Sequence, residues 1–292
     1  MTISITQQVD EMPKDLPQSD FGFDIEYKQE KGSAKRVFGA TYRFIEACEE
    51  CSQALVGSIG ISIDPVIVLE DVEAGSIKTR FKIFYKTEGE EVIKSGDFWR
   101  IVCTYIIEGY KIIFNKTNQI DQEPQLRDIQ SDLYQLSKEV EIENIGILNP
   151  VSDQDIIGIV EKFESIKDFL ITGDKAEFLL SEEISVQIIQ EIRVNIEKLQ
   201  KEATRETLSH SDTSMILIVK KPDYLGDSQW VFRHGRKAIL AKIEDKNWLK
   251  DFQERRKHVR PGDALKCKVR IENSYGYNNE MLYSKYFGTS IF

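Results

Sequence analysis

Three carboxylates crowd the stretch IVLEDVEAGSIKTRF, residues 67–81: Glu70, Asp71 and Glu73, beside a Gly-Ser pair and Lys78. Acids grouped in this way can hold a divalent metal and support hydrolysis. A second set, Asp24-Ile-Glu26-Tyr-Lys28, puts two carboxylates and a lysine on one face of a strand, imitating the acid-acid-lysine core of a nuclease. Cys48-Glu-Glu-Cys51 has the spacing of a redox or zinc pair. A metal-dependent hydrolase would require the two acidic sets to converge.

Each set also has a plainer account. Ile59, Ile61 and Ile63 alternate before Pro65, and Ile67 and Leu69 keep the same parity. Beyond the corner, Ile77, Phe81, Ile83 and Tyr85 alternate against Lys78, Arg80 and Lys82. Two β runs meeting at Glu73-Ala-Gly75 predict a hairpin with Gly75 in the left-handed region. That pairing sets Glu70 opposite Lys78, Leu69 opposite Thr79 and Ile67 opposite Phe81, so Glu70 gains an ordinary cross-strand partner. Asp71 and Glu73 fall at the solvated corner. Asp24 and Glu26 read as the wet side of a strand whose other side is Phe21, Phe23, Ile25 and Tyr27. Cys48 and Cys51 lie on a helical apolar stripe with Val37, Thr41, Phe44 and Leu55, widened by Phe38 and Ile45, which predicts core packing. No second cysteine pair or Cys-His couple is near to complete a zinc shell.

His210, His234 and His258 are isolated, and no G-x-S-x-G, Walker or dinucleotide glycine pattern occurs. No catalytic, cofactor-binding or metal-ligating residue is assigned, and a protein without catalytic activity is expected.

Residues 1–20 read as a polar arm with neither signal-peptide nor transit-peptide composition. Residues 21–150 predict an acidic α+β module: a strand, a helix, the hairpin, a long apolar helix over 90–117 and a second over 121–140, with Asp121 as its cap and Pro124 in its first turn. Arg100, Glu108 and Lys111 interrupt the apolar run FWRIVCTYIIEGYKIIF (98–114), so it predicts a buried helix or one that pairs with a second copy, not a membrane span. Residues 151–212 read as a helical connector, with Ser152 capping a helix to about Leu170. The stretch 171–190 fits either two short strands or another helix. From 213 to 292, β runs separated by turn signals and one short helix, KNWLKDFQE, predict a basic β-barrel-like module of the OB or SH3-like kind. The fold class is α+β, an N-terminal strand-helix-β-hairpin-helices module followed by a small C-terminal barrel.

The net charge of −10 is unevenly shared. Residues 213–292 carry 16 Lys+Arg against 9 Asp+Glu, or +7, while residues 1–212 carry 23 against 40, or −17. In DALKCKVRIEN, Leu265, Cys267, Val269 and Ile271 take one face, and Lys266, Lys268 and Arg270 take the other. Arg233, Arg236 and Lys237 add a basic hairpin tip, and Arg255, Arg256, Lys257 and Arg260 a basic run. With Trp230, Phe232, Tyr275 and Tyr277 for stacking, these cations are the ingredients of a nucleic-acid surface. A protein partner, or the acidic remainder of the chain, would use the same charges.

The expectation is a non-catalytic binding or adaptor protein acting with a protein partner, or as a homo-oligomer through the 98–114 helix. A nucleic-acid-binding protein using the basic barrel is the first alternative, and a metal-dependent hydrolase the second. No cofactor is expected. Four scattered cysteines are too few for a disulfide framework in a chain of 292 residues, which predicts a cytoplasmic, reducing environment.

The stretches VLEDVEAGSIKT (68–79), MILIVKKPDYLGDSQWVFRHG (215–235) and VRPGDALKCKV (259–269) resemble segments of a bacterial family of uncharacterised proteins. That resemblance implies relatedness at both ends of the chain and no activity, cofactor or site residue. A role in phage defence or mobile-element biology suits a chain without housekeeping motifs.

Overall fold

Period-2 alternation builds the first sheet. In β1 (Gln18–Glu26), Phe21, Phe23 and Ile25 are buried while Asp20 and Glu26 face solvent. The computed structural model describes residues 18–27, 34–60, 63–73, 77–87, 96–119, 124–146, 148–180, 184–224, 226, 228–277 and 279–292. The chain divides into two units, Met1–Glu202 and Ala203–Phe292.

In the first unit, β2 (Ile63–Glu73), β3 (Ile77–Thr87), β4 (Lys175–Leu179) and β5 (Ser185–Ile188) join β1 in an antiparallel sheet of order β2-β3-β1-β4-β5. Residues 151–202, expected to be a connector, are therefore built into the first unit, and 171–190 contains two strands. The apolar side of the sheet meets α1 (Ala34–Ser58) and α2 (Gly96–Thr117); α4 (Asp153–Ile166) packs on both of these helices, and α3 (Leu126–Glu139) packs on α2. An aromatic cluster fills the contact: the Phe23 and Phe44 rings stack 4.4 Å apart, Phe44 meets Phe178 edge-on at 5.0 Å, and Phe114 meets Phe178 at 5.3 Å. Its polar needs are met inside, since the Tyr110 hydroxyl donates to the Cys48 carbonyl at 2.8 Å.

The α1 stripe is buried at Val37, Thr41, Phe44, Cys48, Cys51 and Leu55, but Phe38, expected to widen it, is 62% exposed. Phe98, Val102, Tyr105, Ile106, Tyr110, Ile113 and Phe114 of α2 are all buried in this unit. The buried side of the 98–114 helix thus packs within this unit. Ser152 does cap α4, its hydroxyl accepting from the Asp155 amide at 3.0 Å. Gln125, not Asp121, occupies the α3 N-cap; Asp121 lies outside the described residues.

In the second unit, β6 (Glu206–Lys221), β7 (Trp230–His234), β8 (Lys237–Ile243), β9 (Ala264–Tyr275) and β10 (Met281–Ile291) form a closed barrel of order β10-β8-β7-β6-β9. The first barrel strand pairs with the second and fourth, the second with the third, and the fifth with the fourth, all antiparallel. A short parallel pairing, Tyr286–Gly288 of β10 with Ala241–Ile243 of β8, completes the ring. Gly235 takes a φ of 60° in the two-residue β7–β8 turn, the conformation that a glycine supplies at least cost. Between β8 and β9, α6 (Lys246–Gln253) contributes Trp248, Leu249 and Phe252 to a core shared with Leu217, Val219, Trp230, Phe232, Cys267 and Val269. The remaining short helix, α5 (Ile196–Ala203), precedes β6. The Asp245 side chain accepts from the Trp248 amide at 3.0 Å and from the Ile291 amide at 3.2 Å, tying the start of α6 to the last strand.

Candidate interaction surface

Barrel strands send alternate residues in and out. In β9, Cys267 and Val269 are buried, and Lys266 and Lys268 are exposed. Their neighbours on β6 are Ile216 opposite Lys266 and Ser214 opposite Lys268, while Ser290 of β10 flanks Lys268 on the other side. Ile216 is 63% exposed because Leu217 and Val219 take the inward positions. On β7 the inward pair is Trp230 and Phe232, leaving Val231 and Arg233 outside; Arg233 lies opposite Ile218 of β6 and Ala238 of β8. Leu240 of β8, opposite Val231, is 54% exposed. The His234 ring nitrogen Nδ1 lies 3.3 Å from the Ile216 carbonyl, just past the last β6–β7 pair. The wall from β8 to β9 therefore sets exposed apolar side chains among cations.

Those cations differ in what they already touch. Lys266, Lys268, Arg233, Arg236, Lys237, Arg255 and Arg260 are exposed and form no ion pair among the described residues. Arg256 pairs with Asp251 at 3.3 Å and with Glu254, and Lys257 lies over the Trp248 ring at 5.7 Å. Arg270 is the most committed: it pairs with Glu244 at 3.0 Å and Glu272 at 3.3 Å and covers the Phe287 ring at 4.7 Å. The hydrogen bond to Glu244 holds its guanidinium above the ordinary arginine range. Of the three β9 cations, two remain available.

The aromatic part of the expected nucleic-acid surface is largely absent from this wall. Trp230 and Phe232 are core residues, their rings 5.9 Å apart, and Trp230 lies 4.8 Å from Phe252. Tyr275 is half-buried, and Tyr277, at the β9–β10 turn, is 62% exposed. The exposed residues Ile216 and Leu240 escaped sequence reasoning. MILIVKK is apolar at five consecutive positions, so alternation alone does not say which of them point inward.

The acidic sets of the first unit resolve differently. β2 and β3 pair Leu69 with Phe81 and Ile67 with Ile83, two residues away from the expected register. A bulge at Glu70 then shifts the pairing to Asp71 with Arg80 and Glu73 with Lys78. Glu70 consequently bonds Lys82, at 2.5 Å, rather than Lys78. The expected Gly75 turn conformation and Lys28 lie outside the described residues. Asp24 faces Lys78 on one side and Glu177 on the other. β3 with its cations lies between β1 and β2, so the backbones that carry the two sets run two strand spacings, about 9–10 Å, apart.

A cavity of about 230 Å³ opens on this sheet face over Gly22, lined by Asp20, Glu70, Lys78, Arg80 and Leu179. A Cβ on Gly22 would come within 2.8 Å of the Thr79 carbonyl, so the dip depends on glycine. Of its charged walls, Glu70 pairs with Lys82, Asp20 lies opposite Lys82 and Lys78 opposite Asp24. Cys48 and Cys51 are free, and burial pushes both thiols well above their usual pKa, which disfavours the thiolates that redox or zinc chemistry needs. His210, His234 and His258 are exposed, and among the described residues no group of three or more His, Cys, Asp or Glu is placed to hold a metal ion. No described helix is long and apolar enough to cross a membrane. Comparison with known proteins gives no match, whether to a family model, a curated protein or a solved structure.

Proposed function

We propose that this chain is a non-catalytic binding protein whose C-terminal barrel docks an acidic segment of a protein partner on the β8-β7-β6-β9 wall. The observation that carries this reading is the combination of exposed Ile216 and Leu240 with Lys266, Lys268 and Arg233, which form no ion pair among the described residues. Covering apolar side chains supplies affinity, and the surrounding cations steer an acidic partner and fix its orientation. We place the protein in a reducing compartment such as the cytoplasm, in keeping with four free cysteines, three of them buried.

A nucleic-acid-binding reading stands second, favoured by strand order. The pairing of the third and fifth barrel strands in parallel, with a helix between the third and fourth, supports an OB-type rather than an SH3-like barrel, and OB barrels commonly take oligonucleotides. Burial of Trp230 and Phe232 argues against it, because sequence-tolerant binding of single strands leans on exposed rings.

Fluorescence anisotropy separates the two readings, with a labelled acidic amphipathic peptide and a labelled single-stranded oligonucleotide as probes. The first reading expects peptide binding that Ile216→Ser and Lys266→Glu/Lys268→Glu each abolish. Oligonucleotide binding that falls steeply with salt and ignores Ile216→Ser would favour the second. Binding of neither probe at low salt would overturn both.

A further inference from the structure

We infer that the first unit holds a binding site for a small carboxylate with a compact apolar body, in the cavity between α2, α3 and the 148–151 segment, independent of the barrel wall. The cavity measures about 330 Å³, at the lower end of the size range of small-molecule sites. Its lining is mostly apolar: the Tyr105 and Tyr134 rings, Leu133, Leu148 and Pro150. Tyr105 is buried and its hydroxyl already meets Ser58 Oγ at 3.1 Å, so it offers the cavity a ring without a free polar end. Tyr134 is 53% exposed, a large aromatic surface for a residue on a packed helix.

The polar groups of the site converge from one helix face. Arg127, Ser131 and Tyr134 follow at i, i+4 and i+7 on α3, so their side chains stand in a line along the cavity wall. Arg127 is the cavity's one charged lining residue and forms no ion pair among the described residues. The Ser131 hydroxyl is likewise unengaged there, whereas Gln130 is spent on the Val151 carbonyl at 3.2 Å and Asp153 at 2.8 Å. A guanidinium without an ion pair among the described residues, with a hydroxyl one turn away, is a receptor for a carboxylate, bonded through charge-assisted hydrogen bonds. The rings beyond it exclude a ligand that is charged throughout. An apolar pocket with a few convergent polar groups is the common form of a small-molecule site.

The test uses the full chain, 3-phenylpropionate as probe, and its neutral amide as the matched control, titrated by calorimetry or ligand-observed NMR. The carboxylate is expected to bind saturably, about tenfold more tightly than the amide. Arg127→Gln, an exposed change that breaks no ion pair among the described residues, should remove that tenfold preference and leave amide binding unchanged. Tyr134→Ala should weaken both probes, with unchanged thermal unfolding showing that the fold persists. Equal affinity for acid and amide, a preference that survives Arg127→Gln, or no saturation at millimolar probe would each overturn the assignment.

Discussion

The outer face of the first sheet and the outer wall of the barrel carry the same residue types and put them to opposite ends. On the sheet, Lys82 lies between Asp20 and Glu70, Arg80 opposite Asp71, and Lys78 between Asp24 and Glu73. On the barrel, Lys266 has Ile216 beside it, Lys268 has Ser214 and Ser290, and Arg233 has Ile218 and Ala238. Cross-strand neighbours, not the count of lysines in a strand, decide whether a basic strand is self-satisfied or available. The first surface sets each of these cations opposite a carboxylate, with an ion pair at Lys82–Glu70, and the second sets its cations beside apolar and hydroxyl side chains.

The sharpest way to break this comparison is to show that the barrel's rings belong to the wall after all. Trp230→Ala is expected to destabilise the second unit by about 3–5 kcal/mol, read by urea denaturation, because a fully buried ring leaves a cavity. A stable variant that merely lost ligand would mean that Trp230 is a surface ring.

Alkaline pH probes the wall from its inner side. Burial pushes the Cys267 thiol up to about 11 from the ordinary 9.0. A raised folded-state pKa stabilises fully below the unfolded value and is lost as pH rises through the folded one, so this contribution disappears between about pH 9 and 11. Urea midpoints at pH 8 and pH 10.5 should fall by less in Cys267→Ala than in the parent, a difference on the order of 1 kcal/mol after solvent screening.

Charge reversal compares the two faces directly. Lys82→Glu places a third acid beside Asp20 and Glu70 and should cost about 1 kcal/mol. Lys268→Glu, with two serines beside it, should change stability by less than about 0.5 kcal/mol while abolishing binding of the acidic peptide. Equal costs at the two positions would erase the distinction between the surfaces. A purely local backbone effect belongs to Arg255, which holds a φ of 60° just after α6. Arg255→Gly should stabilise by about 0.5–1 kcal/mol, and a loss of stability would mean that the arginine makes a contact worth more than its strain.

Local structure was legible in the residues because its causes are local. The barrel strands, α6, the α1 stripe and the Ser152 cap all follow from periodicity and capping within a few residues. What escaped depends on distant partners. Pairing of β1 with β4 joins residues some 150 positions apart, so nothing near residue 175 announces that it completes the first sheet. The Glu70 bulge shifts a register that simple alternation predicts uniformly. Phe38 and Ile216 look like core residues by type, and only the packed structure shows which neighbour took the inward place. For the candidate surface, all ten basic residues were visible in sequence, whereas the division between paired Arg256 and Arg270 and Lys266 and Lys268, without an ion pair among the described residues, required geometry.

The parallel contact between β10 and β8 spans three residue pairs, against nine between β10 and β9. A cylinder joined so narrowly along one line has a preferred place to unzip. Amide protons at Tyr286–Gly288 should trade with solvent ahead of those in the long β6–β9 ladder, and during synthesis the ring stays ajar until this final strand arrives to shut it.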